Sequence, residues 1–521
     1  MRNRRLAASL VAASAVAALI PTLAPATASA ADRTGEQYAA AKLKWKRCAP
    51  DLPANFQCTT LKVPLDYSRP NGTKIDVAIS RIKASSPAQR RGVLLLNPGG
   101  PGGEGLHMPP YLAEQLPKSV TSRYDLIGFD PRGLGQSSPV TCGLKPSEEE
   151  FGRPYKAATF SNDVRWARTV ADKCRSKVGA KLPHLNTRNT ARDMDAVRAA
   201  LGEKKISYLG YSYGTYLGAV YAQMFPTRAD RFVLDSAVDP QRVWRGMIQV
   251  WAEGTEPAFD RWTQWTAKRD ATYKLGKTPS AVRTTFWNLV KRADRKPIVI
   301  DGQKINGDDI RSGARELFFS VRDGADAIAE LKKAADGKSK PRLARLPGIT
   351  KPATPPTFGV KVAADNGTAL FWSILCADTR NWSHDPETYR RDAIRDKAKY
   401  PIYGDFASNI TPCAFWGKGS EPATKVNNKV PTLILQNQWD SQTPLVSGVG
   451  AHKALKGSRM VTVSGGEGHG IYGSGSCADK TATAYLTTGK LPAKDLTCKA
   501  PEPKLQKSVR LPAPANQLAS N

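Results

Sequence analysis

Several things are scarce in this chain of 521 residues, and each shortage removes a class of explanation. Histidine occurs five times, so chemistry that needs an imidazole has few places to be. Acidic residues number 46 against 77 lysines and arginines, for a formal charge of +31. No apolar run after Ala30 approaches the length needed to cross a bilayer. No two cysteines have Cys-x-x-Cys spacing, which argues against zinc and thioredoxin-like readings. No basic run carries interleaved aromatic residues, and the positive charge is spread from Lys42 to Arg510 with acids between. Nucleic acid is therefore not the expected partner. Solubility and electrostatic adhesion to an anionic cell wall account better for the charge.

What is present begins with an address. Arg2, Arg4 and Arg5 precede the apolar run Leu6 to Ile20, and the stretch Pro21 to Ala30 ends in Ala28-Ser29-Ala30. This is the pattern of a secretory signal peptide over residues 1–30, cut after Ala30, and it predicts an extracellular protein. All eight cysteines follow it: Cys48, Cys58, Cys142, Cys174, Cys376, Cys413, Cys477 and Cys498. An even number in an exported chain argues for disulfides, and pairing of sequence neighbours closes the shortest loops.

The order of segments predicts a doubly wound α/β sheet. Stretches 60–65 and 74–81 alternate like exposed strands around Arg69-Pro70-Asn71-Gly72, whereas Gly92-Val93-Leu94-Leu95-Leu96-Asn97 is apolar throughout, like a buried parallel strand. Further strands are expected at 124–130, 206–211, 231–235, 432–436 and 459–463, with a helix over 190–201. Past Pro240 the tryptophans, charges and helical spacing predict an inserted, mainly helical cap, and residues 336–358 read as a linker. The expected division is a core over 31–240, a cap over 241–400, the core resumed over 401–500, and a disordered tail over 501–521. The cap tryptophans are expected in a core rather than around a ligand.

Within that sheet, Gly210-Tyr211-Ser212-Tyr213-Gly214 sits between an apolar strand and a helical run. A strand that turns sharply into a helix holds one side chain out at the apex, and here that residue is Ser212. The pattern is weak alone, and the partners give it weight. A serine hydroxyl needs a base and an acid that orients the base. His107 and His184 precede Ser212, His384 falls in the cap, and His452 has the neighbours of a surface helix. His469 lies in the glycine loop 465–470 after the last core strand and is the expected base. Asp440, after the strand 432–436, is the expected acid. Asp235 competes, and is read as stabilising the turn toward the cap. An oxyanion hole needs two backbone N–H groups, and Tyr213 and Gly100 are the candidates, with Gly99 second. A phosphate cradle in the loop Pro98 to Gly103 is disfavoured because its prolines remove donors and no Gly-Lys-Ser/Thr closes it.

These motifs carry a resemblance. Asn97-Pro98-Gly99-Gly100-Pro101-Gly102-Gly103, Asp130-Pro131-Arg132-Gly133, Gly210-Tyr211-Ser212-Tyr213-Gly214, Cys376-Ala377-Asp378, Asp440-Ser441-Gln442-Thr443-Pro444 and Gly468-His469-Gly470 occur in order over residues 40 to 500. The chain resembles the secreted bacterial tripeptidyl aminopeptidases, α/β-hydrolase serine peptidases related to prolyl aminopeptidases. The resemblance implies a serine exopeptidase acting on peptides with free N-termini, with no metal and no organic cofactor. A carboxylesterase or lipase using the same triad, and a catalytically silent binding protein, are the alternatives. An exopeptidase must hold a free α-ammonium, and a carboxylate is the simplest device. Asp378, Glu253, Glu256 and Glu104 are the candidates, with Asp378 leading because the Cys376 disulfide would fix it.

Overall fold

The computed structural model describes Tyr38 and residues 42–300, 302–338 and 359–500. The expected signal peptide over 1–30, the expected tail over 501–521 and residues 339–358 of the expected linker 336–358 lie outside the described residues. The strands are β1 (Lys46–Arg47), β2 (Gln57–Pro64), β3 (Lys74–Ile82), β4 (Gly92–Asn97), β5 (Tyr124–Phe129), β6 (Ile206–Tyr211) and β7 (Ala229–Asp235). A small ribbon of β8 (Ile298–Ile300) and β9 (Gln303–Ile305) is followed by β10 (Thr432–Trp439), β11 (Ser458–Glu467) and β12 (Leu496–Lys499). All but the ribbon form one sheet in the order β1-β2-β3-β5-β4-β6-β7-β10-β11-β12. The first strands are antiparallel, and from β5 onward every pairing is parallel.

The apolar run at β4 explains why the sheet is covered twice. Val93 and Leu95 enter one core with Met194 and Val197 of the helix Thr187–Ala200 and Leu217 and Val220 of the helix Tyr213–Met224. Leu94 and Leu96 point the other way, into a core with Leu112 of Met108–Gln115 and Tyr485 and Leu486 of Asp479–Thr488. Alternate side chains of one strand thus bury against helices on opposite faces, the arrangement that a parallel sheet requires.

Between β7 and β10 run the helices Arg245–Ala267, Pro279–Arg295, Gly307–Leu317, Val321–Ala335, Asn366–Ala377 and Pro386–Lys399. They form the inserted helical cap. Trp262 and Trp372 are fully buried within this region, as core tryptophans. Sulfur bridges join Cys48 to Cys58, Cys142 to Cys174, Cys376 to Cys413 and Cys477 to Cys498, and no described cysteine is free. The last of these ties the half-exposed edge strand β12 to the loop before the helix Asp479–Thr488. No described helix is long and apolar enough to cross a membrane.

Candidate active site

β6 ends at Tyr211 and a helix starts at Tyr213, leaving Ser212 between them with φ +57°. A non-glycine residue there carries strain on the order of 1–3 kcal/mol, tolerated when the surroundings hold it. The surroundings are tight. A Cβ on Gly214 would lie 2.7 Å from Asn97 Oδ1, and one on Gly99 would lie 2.4 Å from the Tyr211 carbonyl and 2.8 Å from Ser212 Cβ. Glycine at these positions lets the loop after β4 press directly on the apex. Asn97 steadies that loop by accepting from the Gly99 N–H at 3.0 Å.

Gly100 then faces the same cavity as Ser212 and Tyr213. Tyr213 is the first residue of its helix, so its N–H has no acceptor one turn back. Among the described residues no acceptor engages the Gly100 N–H. The two residues expected to supply the oxyanion hole thus line one cavity with Ser212.

His469 lies beyond β11, in a loop held on both sides. Its Nδ1–H donates to the Asp440 carboxylate, with both oxygens at 2.9 Å. Asp440 is fully buried and also accepts from the N–H groups of Gln442 and Thr443 at 2.8 and 3.0 Å and from the Thr443 hydroxyl at 3.0 Å. The Ser-Gln-Thr that follows the aspartate in sequence is therefore a turn that fixes its carboxylate. Burial lowers the His469 pKa, but the charge and hydrogen bond of Asp440, aided by Asp235, outweigh it and raise the imidazole above its ordinary value of 6.5.

Asp235 does more than steady the turn that leaves β7 toward the cap. Its Oδ2 accepts the Ile471 and Tyr472 N–H groups at 2.9 and 2.7 Å, and its backbone carbonyl accepts the Ser212 N–H at 3.0 Å. The neighbouring Ser236 hydroxyl accepts the Gly470 N–H at 2.9 Å and donates to Asp235 Oδ1 at 3.0 Å. One residue thus touches both the nucleophile turn and the histidine loop. Sequence position alone hid this, because the bonds run to backbone groups more than 230 residues away.

Two of the other histidines are engaged elsewhere, His384 with the Ala414 carbonyl and His452 with Ser458 and Asp495, while the buried Nδ1 of His184 has no hydrogen-bond partner. Among the described residues no group of three or more His, Cys, Asp or Glu is placed to hold a metal ion.

The cavity at Ser212 is narrow, about 60 Å³, and its walls include Trp244, Met247, Ile248, Trp251, Phe371 and Leu375. Two tryptophans expected in a core therefore line the site; the helical spacing that marked them could not say which face meets the sheet. None of the four candidate acids is in that lining. Asp378, the leading candidate, is displaced from the role by its surroundings. It is buried, accepts from the Thr187 N–H and hydroxyl at 2.7 and 2.6 Å and from Trp244 Nε1 at 3.0 Å, and burial pushes its carboxyl up to about 6. Its oxygens are spent on holding Thr187 and the cavity wall, and Thr187 in turn meets the Tyr213 hydroxyl at 2.8 Å. Glu253 pairs with Arg242 at 2.7 Å, and Glu256 accepts the Ile402 N–H at 2.9 Å. Glu104 follows the glycine loop, half-buried, and no described hydrogen bond or ion pair engages its carboxylate. Burial, with the Asp130 carboxylate nearby, pushes it up to about 7.

Residues 92–475 match the alpha/beta hydrolase fold family. The chain is 34% identical over 482 residues to the tripeptidyl aminopeptidase of Streptomyces lividans, covering 88% of this chain and 87% of that one. It is 29% identical over 497 residues to the serine protease Hip1 of Mycobacterium tuberculosis, with 89% and 92% covered. Carboxylesterase B of the same organism is 27% identical over 541 residues, with 95% and 99% covered.

Proposed function

The chain belongs to the α/β-hydrolase family and, within it, to the tripeptidyl aminopeptidases, and from that premise we propose that this serine hydrolase is an exported exopeptidase releasing short peptides from free N-termini. The observation that carries the mechanism is the His469–Asp440 contact at 2.9 Å, in a loop that Asp235 ties to the Ser212 turn. Ser212 Oγ attacks the scissile carbonyl as neutral His469 takes its proton. The Tyr213 and Gly100 N–H groups hold the oxyanion, and the imidazolium returns the proton to the leaving amine. Water, activated by the same imidazole, then hydrolyses the acyl-enzyme and frees the N-terminal peptide. Asp440 fixes the tautomer and stabilises the imidazolium. The four disulfides suit an oxidising compartment outside the cytoplasm, and a charge of +31 favours residence on anionic cell-wall surfaces.

Glu104 is the acid best fitted to read the substrate's α-ammonium. The Gly103 N–H donates to the Gly99 carbonyl, and Gly99 packs on Ser212, so Glu104 stands a short reach from the nucleophile. Three extended residues span roughly 10 Å, which is the reach between nucleophile and amine-binding acid that release of a tripeptide calls for. A half-buried carboxylate without a cation is also where an ammonium gains most. The apolar cavity wall favours a second reading, a carboxylesterase. Peptide p-nitroanilides of one to four residues, free and N-acetylated, compared with a p-nitrophenyl ester, test both. The exopeptidase loses at least about tenfold in kcat/KM on acetylation, and Glu104→Gln erases most of that preference while sparing the ester. Equal cleavage of free and blocked peptides, or hydrolysis of the ester alone, overturns it.

A further inference from the structure

A broad cleft lies at the edge of the sheet opposite Ser212, at the amino ends of the central parallel strands. It has a volume of about 480 Å³ and is lined by Arg91, Lys205, Asp230, Arg231 and Lys429 together with Tyr485. Four cations meet one carboxylate there. Arg91 directly precedes β4, Lys205 directly precedes β6, Arg231 is in β7, and Lys429 lies three residues before β10. These four strands are consecutive neighbours in the sheet. With strands spaced about 4.8 Å apart, their amino ends set the cations in a row on the order of 14 Å long.

The acid in the cleft is already shared. Asp230 accepts from Arg91 at 2.7 Å and from the Ser207 hydroxyl at 3.3 Å, and stands 4.0 Å from Arg231 Nε. Lys205 and Lys429 are exposed and form no ion pair with any described residue. Arg231 is 6% exposed; one Nη donates to the Leu486 carbonyl, while its buried Nε–H has no hydrogen-bond partner. A buried donor without a partner is costly, on the order of 1–3 kcal/mol, unless a ligand supplies the acceptor.

We propose that this cleft binds a linear, phosphate-bearing polyanion, with successive phosphates lying along the row of cations. A single small ion could touch only part of a row this long, whereas a chain of anions can engage all of it and release its counterions together. Phosphate oxygens suit a guanidinium fork beside point-charge ammonium groups. Lys205 precedes the strand that Ser212 follows, so roughly 20 Å of sheet separates anchor from nucleophile. A polymer held here leaves the opposite, catalytic edge open to peptides. The proposal gives a defined seat to the electrostatic adhesion suggested above, and its test separates a seat from diffuse attraction.

Full-length secreted enzyme is titrated with long-chain polyphosphate at about physiological salt, comparing wild type with K205E/K429E and with K291E/K304E, a control that removes two exposed lysines of the cap. The cleft pair weakens binding at least about tenfold and flattens the salt dependence, the control pair changes it little, and kcat/KM for a peptide p-nitroanilide stays as in wild type, which also reports the fold. Equal losses from the two pairs, or no loss from the cleft pair, overturn the site in favour of diffuse adhesion. Polyglutamate of matched charge binding as tightly overturns the assignment to phosphate, and full competition by orthophosphate at equal phosphate concentration overturns the assignment to a polymer.

Discussion

Asp440 and Asp235 follow or end adjacent parallel strands, both are fully buried, and both act on His469. They differ in what their oxygens touch. Asp440 gives both oxygens to the imidazole Nδ1–H and takes support from its own turn. Asp235 gives its carboxylate to the backbone of residues 471 and 472 and to Ser236. Two acids with similar burial thus take different work, one orienting a ring and one holding a loop. Distance from the histidine in space does not assign the role; the partner atom does.

The hardest test of that contrast is truncation of each residue. Ser212→Ala, His469→Ala and Asp440→Ala each leave a folded protein with kcat/KM down on the order of 10⁴, and any two together cost little more than one. If Asp440→Ala stayed near full activity while Asp235→Ala fell this far, the roles would have to be exchanged.

A smaller effect belongs to Asp235. Asp235→Ala leaves two buried N–H groups without acceptors, at about 1–3 kcal/mol each, so the melting temperature falls and kcat drops about ten- to a hundredfold as the histidine loop loosens. Asp235→Asn keeps an amide oxygen to accept from Ile471 and Tyr472 and recovers most of that loss. Denaturation curves read beside kcat and KM check the pair. An asparagine variant as damaged as the alanine one would mean that charge, not loop support, is what Asp235 supplies.

This contrast also marks how far the sequence could be read. The buried strand at 92–97, the Ser212 turn and the doubly wound fold class were legible because each leaves a local signature: an unbroken apolar run, flanking glycines, or alternation of strand and helix. Asp440 was legible because its strand comes immediately before the histidine strand, so that neighbouring loops meet. The work of Asp235 was not, because its acceptor role is defined by backbone groups that only the folded sheet brings near. The same holds for Asp378, whose fixed position was anticipated but whose oxygens are consumed by Thr187 and Trp244. Trp244 and Trp251 share helical spacing with Trp262, and only packing separates a cavity wall from a core.

The finest distinction between the two acids is in the pH profile. His469 must be neutral to accept the Ser212 proton, so kcat/KM rises as pH passes through the imidazole pKa and is lost below it. Burial pulls that pKa down, Asp440 and more weakly Asp235 push it up, and Arg315 pulls it down; the balance lies above 6.5. Arg315 touches the Ser441 carbonyl and the Gln442 side chain, so its charge stays in place when Asp235 is changed. Tyr211 and Tyr472, beside Asp235, have phenols held far above their usual range and remain neutral throughout. Asp235 itself, pushed up to about 6 by burial, carries its charge only at the upper part of the limb. Asp235→Asn removes one of the two negative charges that favour the imidazolium, so the acid limb moves to lower pH, and by less than the loss of Asp440 would move it. Profiles of kcat/KM from about pH 5 to 8 for wild type and Asp235→Asn, each scaled to its own plateau, read the shift. A limb that stays in place would reduce Asp235 to loop support alone, and one that moves upward would contradict the sign of its charge on His469.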